Sequence, residues 1–265
     1  MHMTMKMHQP RPCRRYRRLY AVLTGLLLTF SSHAQATTLT VAVAASAQYM
    51  FAELQSAFQQ QTGHTLRAVY GSSGKLTAQV MHGAPFDVFL SADMEYPQKL
   101  HAAGFAEPPR VYAYGALVLW TMEEFDLGNW QSLLNSAKVK KIAIANPKTA
   151  PYGRETMRVL SHFKLDATLQ PKLVYGESIS QTSQYIHSRS ATVGFTAKSV
   201  VMSPTMHGTG KWVEIPKGIY QPIAQGIAVL KHGQQFEPET AQQFRDFMLS
   251  PSAHVILNRY GYLLP

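Results

Sequence analysis

Two serines, Ser46 and Ser73, stand at equivalent points of the chain and could together bind an anion. Ser46 ends the apolar run LTVAVAAS, and Ser73 follows Ser72 in VYGSSGKL, in each case where a helical pattern begins. A strand that passes into a helix at such a residue leaves free backbone N–H groups around one point, which suits an anion. We therefore predict that these two turns form half of an oxyanion site and that the rest of the chain supplies the other half.

The elements that must position these serines follow a strand–helix–strand order. Val- and Ala-rich or otherwise apolar runs predict strands over Leu39–Ala45, Thr65–Tyr70 and Asp87–Leu90. Helical spacing predicts helices over Ala47–Gln61, with Ser46 as its N-cap, and Lys75–His82. Short links in this order imply a parallel sheet with right-handed crossovers, whose ligands bind beyond the carboxyl ends of the strands.

The middle of the chain repeats this plan without an alignable sequence repeat. A strand over Lys141–Ala145 leads through the turn at Tyr152 into a helix over Arg154–Phe163. A strand over Leu173–Tyr175 precedes another helix that begins at Ile179. These two strand-to-helix turns are the candidates for the second half of the site.

Two long apolar segments predict a hinge between two lobes. The segment Val111–Thr121 reads as a strand that leaves the first lobe, and Ile223–Leu230 as a strand that returns to it. We therefore predict an α/β fold in which residues 37–116 and 226–265 form the first lobe and residues 117–225 the second. Clefts between lobes of this kind close on their ligand.

The N-terminus has the pattern of a secretory signal peptide over residues 1–36. The positive stretch Arg14–Arg18 precedes a 12-residue apolar core over Leu19–Phe30, which is short for a membrane span. An A-x-A site predicts cleavage before Thr37, with cleavage after Ala34 as the alternative. The mature chain is therefore predicted to be exported.

The charge and the cysteine count exclude several classes of function. The formal charge is +10, but residues 1–36 hold six basic residues and no acidic one, which leaves 19 basic against 15 acidic residues, a net of +4. Such a mild excess, without a basic stripe, does not indicate nucleic-acid binding. Cys13 is the only cysteine and precedes the apolar core, so lipid anchoring, disulfides and thiolate metal sites are not expected in the mature chain.

Other polar residues allow alternative interpretations, which the pattern favours less. Asp87 and Asp93 could be a metal pair, but we interpret Asp93 as a turn or cap residue, and the 11 histidines show no metal-binding spacing. Lys75 and Arg154 lie close to the turns and are interpreted as solvated charges at helix starts. A secreted hydrolase with Ser73 as nucleophile would need Ser73 to be the serine of a G-x-S-x-G or S-x-x-K pattern, and Ser73 stands in neither.

Several motifs, in order along nearly all of the mature chain, resemble the molybdate-binding proteins of bacterial ABC transporters. These motifs are VAVAAS at 41–46, GSSGKL at 71–76, GAPFDVFLSAD at 83–93, NPKTAPYG at 146–153, GESIS at 176–180 and VGFTA at 193–197. The resemblance implies a two-lobed periplasmic binding protein of the second type. Such a protein binds molybdate, usually also tungstate, delivers it to an inner-membrane permease, and has no catalytic activity and no cofactor. We expect a periplasmic monomer.

The resemblance also implies which residues contact the ion. Carried over position by position, the contacts fall at Ala45, Ser46, Ser73, Tyr152 and Ile179. Tyr152 and Ile179 would contribute mainly backbone N–H groups, and the serines would add hydroxyl donors. Many relatives carry a tyrosine donor where this chain has Ala197, and we hypothesise that Tyr152 partly replaces it.

A site of donors alone matches molybdate, which is a tetrahedral dianion with four acceptor oxygens. Backbone N–H groups at helix starts provide such donors without a mobile counter-charge. A phosphate that carries a proton needs an acceptor and is disfavoured. Sulfate has the same shape as molybdate, so a binder of another oxyanion remains an alternative, as does a periplasmic oxyanion sensor.

Overall fold

The computed structural model describes residues 36–265, in which strands and helices alternate along most of the chain. The predicted signal peptide, with Cys13, lies outside the described residues except for Ala36. The strands are β1 Thr38–Ala44, β2 Thr65–Gly71, β3 Val88–Ser91, β4 Arg110–Gly115, β5 Leu117–Thr121, β6 Ile142–Ala145, β7 Leu173–Gly176, β8 Val193–Ala197, β9 Lys211–Glu214 and β10 Ile223–Val229.

The helices of the same residues lie mainly between these strands. They are α1 Gln48–Thr62, α2 Ser73–Met81, α3 Glu95–Ala102, α4 Trp130–Asn135, α5 Pro151–His162, α6 Asp166–Leu169, α7 Ile179–His187, α8 Lys198–Val201, α9 Lys231–Phe236, α10 Pro238–Met248 and α11 Pro251–Arg259. Short 3-10 helices cover Ala45–Ala47 and Gln170–Lys172. Among residues 36–265, none of the helices has the length and apolar character needed to cross a membrane.

The first sheet has the strand order β2-β1-β3-β10-β4. Strand β1 is parallel to β2 and β3, as predicted, whereas β10 is antiparallel to β3 and β4. The parallel strands β1 and β2 end at the same edge of the sheet, where the chain continues into Ala45–Ala47 and into α2. The two predicted serine turns therefore lie side by side.

The second sheet repeats the arrangement with the order β7-β6-β8-β5-β9. Strand β6 is parallel to β7 and β8, and β5 is antiparallel to β8 and β9. Helices α5 and α7 follow the neighbouring strands β6 and β7. Their N-termini therefore also meet at one edge of a sheet, and the predicted two-lobed α/β fold is confirmed.

The chain passes between the sheets twice. Strand β4 ends in the first sheet at Gly115 and β5 begins in the second at Leu117, so the predicted strand Val111–Thr121 is two strands joined at Ala116. The return passage lies in residues 215–222, before β10 joins the first sheet. The exact lobe boundaries stay a prediction.

Each sheet has its own apolar core. On the first sheet, Phe51 and Phe58 of α1 pack against Phe244 of α10, with ring centroids 6.3 and 5.2 Å apart from it. On the second sheet, Trp130 lies edge-on to Phe195, with centroids 6.0 Å apart. These cores hold the strand ends in place, and with them the turns that follow.

The largest boundary error that bears on the site concerns α5. The sequence predicts a helix from Arg154, but the helix begins one turn earlier at Pro151. Proline suits the first position of a helix because its fixed φ is compatible and its missing N–H would have no partner there. Tyr152 is consequently inside the first turn of the helix and not in a preceding loop.

Candidate functional site

Ser46 lies in the 3-10 turn after β1 and is buried. Its predicted role as an N-cap is wrong, because Ala47 occupies the cap position of α1 and no side-chain cap bond is present. The Ser46 carbonyl accepts hydrogen bonds from Ser199 Oγ at 2.8 Å and Tyr262 Oη at 3.2 Å. The Ser46 hydroxyl itself has no protein partner and is available to a bound ion.

Ser73 is the first residue of α2 and is also buried. Its Oγ accepts a hydrogen bond from the N–H of Ala92 at 3.0 Å. Because that bond occupies a lone pair, the hydroxyl proton remains free to donate. Ser72 occupies the cap position without a side-chain cap bond, and its buried Oγ has no protein partner. The second turn thus offers two hydroxyl groups.

Tyr152 follows Pro151 at the start of α5 and is almost fully buried. Proline has no N–H, so the N–H of Tyr152 is the first donor of this helix, and first-turn N–H groups have no partner in the helix. Burial raises the pKa of the phenol well above its usual value, so the side chain stays neutral. This position therefore supplies a donor and no charge.

The phenol oxygen of Tyr152 lies against Gly115, at the passage between the sheets, where a side chain at Gly115 would collide with it. Gly115 does not line the cavity described below. Ala197, the position of the absent tyrosine donor, is buried at the end of β8 and does not line it either. The Tyr152 hydroxyl is buried without a protein partner, and the hypothesis that Tyr152 partly replaces that donor stays a prediction.

Ile179 is the first residue of α7, and the start of this helix is the fourth of the predicted turns, after those at Ser46, Ser73 and Tyr152. Ser178 caps the helix, and its Oγ accepts from the N–H of Gln181 at 3.4 Å. The N–H of Ile179 precedes the first intrahelical bond and has no partner within the helix. As at Tyr152, the contribution comes from the backbone while the side chain is buried.

All five predicted contact residues line one cavity between the two sheets. Its walls consist of Ala44, Ala45, Ser46, Ser72, Ser73, Ala92, Ala150, Pro151, Tyr152 and Ile179. None of these ten residues carries a charge. The cavity is small, about 10 Å³, far below the roughly 300–1,000 Å³ of pockets for organic ligands. A volume of this order, about that needed for one water molecule, excludes an organic metabolite, and the donors around the cavity favour an anion.

Charged side chains stand around the cavity in pairs. Lys75 is half exposed near the start of α2, which agrees with its interpretation as a solvated charge, whereas Arg154 is mostly buried in ion pairs, so that interpretation is wrong for Arg154. Lys75 Nζ lies 2.7 Å from Glu177 Oε1. Arg154 pairs with Asp93 and, at 3.0 Å, with Glu95. Both sets of ion pairs join an element of the first sheet to one of the second; Lys75 and Glu177 neutralise each other, and Arg154 is shared between the carboxylates of Asp93 and Glu95.

Asp93 has the turn role that the sequence indicates, and a second role besides. Its Oδ1 accepts from the N–H of Tyr96 at 3.2 Å, which fixes the turn before α3. Its Oδ2 accepts from Arg154. Burial raises the pKa of the Asp93 carboxyl, and the Arg154 guanidinium opposes that rise. Among residues 36–265, no group of three or more His, Cys, Asp or Glu side chains could hold a metal ion.

Ser72, Ala92 and Ser199 bear on the site but were not predicted as part of it. Ser72 and Ala92 line the cavity, and Ser199 holds the Ser46 carbonyl from the second sheet. The serine pair in GSSGKL was a visible signal for Ser72. Nothing local to Ala92 or Ser199 distinguishes either residue, because each acts through a partner distant in sequence.

Comparison with known proteins identifies relatives across almost the whole described chain. Residues 39–263 match the family model of the bacterial extracellular solute-binding proteins. The molybdate-binding protein ModA of Rhodobacter capsulatus is 36% identical over 245 residues, covering 92% of this chain and 95% of that protein. ModA of Azotobacter vinelandii is 35% identical over 248 residues, covering 93% and 96%.

Solved structures show the same fold. The periplasmic molybdate-binding protein of Azotobacter vinelandii superimposes with a TM-score of 0.81 at 35% identity, covering 86% of this chain and 99% of that one. The sulfate-binding protein SubI of Mycobacterium tuberculosis superimposes with a TM-score of 0.71 at 15% identity, covering 85% and 86%. The second likeness shows a shared fold alone.

Proposed function

This chain belongs to the family of bacterial extracellular solute-binding proteins, and from that premise we propose that it binds molybdate in the periplasm for uptake by an ABC transporter. The high coverage of molybdate-binding relatives supports this ligand. The family is one of solute carriers and not of enzymes, which speaks against the hydrolase alternative.

The observation that carries the proposal is the uncharged cavity built from four chain turns. Ala45–Ser46 and Ser73 approach it from the first sheet, and Tyr152 and Ile179 from the second. Each turn presents backbone N–H groups without an intrahelical partner, and the two serines add hydroxyls. A dianion whose four oxygens only accept hydrogen bonds is the ligand that such donors match.

The same donors explain which anions should be rejected. A monoprotonated phosphate would place its own proton against N–H and O–H donors, and no carboxylate lines the cavity to accept it. Tungstate has the same shape and charge as molybdate, so we propose that it binds as well. Sulfate differs mainly in size, so only the spacing of the turns can discriminate against it.

We further propose that the protein is exported by the signal peptide over residues 1–36, acts as a monomer and delivers its ion to an inner-membrane permease. Membership in a family of extracellular solute-binding proteins supports a location outside the cytoplasmic membrane. The cleavage site before Thr37, the permease and the monomeric state are proposals that rest on the sequence pattern and on the resemblance.

Isothermal titration of the chain Thr37–Pro265 tests the proposal. We expect tight one-to-one binding of molybdate and tungstate, with no heat from phosphate. If sulfate binds as tightly as molybdate, the proposed site would stand, but the proposed ligand would have to include sulfate. If neither molybdate nor tungstate gives a binding heat, the proposed function is contradicted. The oxyanion-sensor alternative would then be tested with other anions.

A further inference from the structure

Gly74 forms a backbone–backbone hydrogen bond across the cleft. Its N–H donates to the carbonyl oxygen of Thr149 at 2.9 Å. Gly74 is the second residue of α2, directly after Ser73, and Thr149 lies in the loop that leads into Pro151 and Tyr152. This hydrogen bond therefore joins the two halves of the proposed anion site within three residues of a donor on either side.

The contact leaves no room for a side chain on Gly74. A Cβ atom there would lie 2.9 Å from Thr149 Cα, 3.0 Å from Thr149 O and 2.7 Å from Tyr96 Oη. Carbon atoms do not pack this closely in protein interiors. The Tyr96 hydroxyl is the tip of a side chain and can move, but the backbone of Thr149 can yield only if the two halves of the cleft separate.

The conformation of Gly74 itself does not require glycine. It is absent from the glycines of residues 36–265 that have a positive φ, and it lies in the first turn of a regular helix. Alanine is a better helix former than glycine at such a position. The need for glycine therefore arises from the contact with Thr149 and not from the fold of the first lobe.

From these observations we infer that Gly74 is a positioning residue for closure of the cleft, and that its missing side chain controls how long a bound anion stays. The inference rests on the proposed function. Because Gly74 has no side chain, the start of α2 reaches the 146–150 loop and closes the cavity. A side chain at this point holds the lobes apart, so the anion escapes more readily.

Neighbouring contacts lie on the same rim and depend on the same approach. Tyr96 Oη donates to the carbonyl of Lys148 at 3.2 Å, and Lys75 Nζ pairs with Glu177 at 2.7 Å. Both join the first lobe, through α3 and α2 respectively, to the second lobe, so both form only when the two lobes are close. Obstruction at Gly74 would therefore weaken these contacts together with its own hydrogen bond.

Gly74→Ala tests the inference through binding kinetics. Stopped-flow measurement with molybdate should show a dissociation rate raised about tenfold or more, because closure loses at least one hydrogen bond and its neighbours. The association rate should stay within about twofold, since the anion first meets the open cleft. The melting temperature of the anion-free protein should be unchanged or slightly higher.

Two further variants act as controls. Gly128→Ala also adds a methyl group at a non-positive φ, but on an exposed loop where the nearest contact is the Asp126 carboxylate at 3.2 Å, so its kinetics should match those of the wild-type protein. Gly74→Ala combined with Tyr96→Phe removes the movable hydroxyl and leaves the Thr149 backbone in the way. That double variant should release molybdate as fast as Gly74→Ala.

The outcomes separate this inference from the proposed function. Wild-type protein that binds molybdate while Gly74→Ala releases it at the wild-type rate overturns the inference alone. Recovery of slow release in the double variant overturns it as well, because Tyr96 would then be the obstacle. A lower melting temperature of anion-free Gly74→Ala would assign the effect to folding. If the wild-type protein does not bind molybdate, both the proposed function and this inference are contradicted.

Discussion

At the scale of single residues, the candidate site is marked by hydroxyl donors that form no hydrogen bond to another protein atom. Ser46 Oγ and Ser72 Oγ are buried without a protein partner, and Ser73 Oγ uses only a lone pair. An unpartnered buried hydroxyl costs about 1–3 kcal/mol, which a protein tolerates where a ligand completes the bond. The concentration of such groups around one uncharged cavity is what indicates an oxyanion site.

Ser73→Ala should weaken molybdate binding by about 1–3 kcal/mol, because it removes one donor from a buried anion and leaves the rest of α2 intact. Titration calorimetry measures the loss. Ser56→Ala is the matched control, since Ser56 is exposed on α1 and bonds only to the Ala52 carbonyl. Wild-type affinity in Ser73→Ala would remove Ser73 from the ion's contacts.

Lys75→Ala should change the affinity for molybdate by less than about 1 kcal/mol. Both partners of the Lys75–Glu177 pair are about half exposed, and exposed ion pairs contribute little. Titration at low and at high salt would measure the remaining long-range attraction. A loss of several kcal/mol would mean that a cation neutralises the ion directly and that the picture of an uncharged site is wrong.

At the scale of elements, the starts of the helices matter more than their lengths. Helix α5 presents Tyr152 because it begins at Pro151 and runs close to the end of β6. A side chain at Gly153 would collide with the carbonyl of Ala145, the last residue of β6. The close approach of helix and strand, which only glycine permits, thus holds the Tyr152 N–H at the cavity.

Gly153→Ala should therefore lower the free energy of unfolding by about 1–3 kcal/mol, as overpacking against a rigid backbone does. It should also weaken molybdate binding, because the first turn of α5 must move away from β6. Chemical denaturation and titration calorimetry give the two quantities. Normal stability combined with normal affinity would show that α5 can shift without disturbing the site.

The parallel direction of β1, β2 and β3 and the position of the serine turns could be predicted from the sequence, because they depend on local apolar runs and helix-start residues. The sequence did not predict that Ser46 fails to cap α1, because the short 3-10 turn at Ala45–Ala47 moves the start of the helix past Ser46. The ion pairs of Lys75 and Arg154 were missed because their partners come from the opposite lobe, and no local pattern encodes such contacts.

At the scale of the whole molecule, the proposed ion site has no group among its walls that titrates near neutral pH. Tyr152 is the only titratable residue among its walls, and burial raises its pKa well above the usual value. A phenol with a raised pKa stays protonated and neutral throughout the neutral range. The donors of the site therefore keep their number and charge there.

The affinity for molybdate should consequently be flat between about pH 6 and about pH 8. Titration calorimetry at three pH values in buffers of equal ionic strength checks this. A tenfold change across the range would point to a titrating group outside the cavity walls. A decline confined to the acidic end would indicate Asp93, whose carboxyl has a pKa raised by burial and pairs with Arg154 across the cleft.

We propose that one molybdate ion sits among backbone and serine donors between the two lobes. The most direct test is a crystal of Thr37–Pro265 grown with molybdate, with diffraction data collected at the molybdenum absorption edge. We predict a single anomalous peak in the cavity, with the ion's oxygens in hydrogen-bond contact with Ser46, Ser73 and the N–H groups of Tyr152 and Ile179. A peak held by Lys or Arg side chains, or no peak in the cavity, would contradict the account.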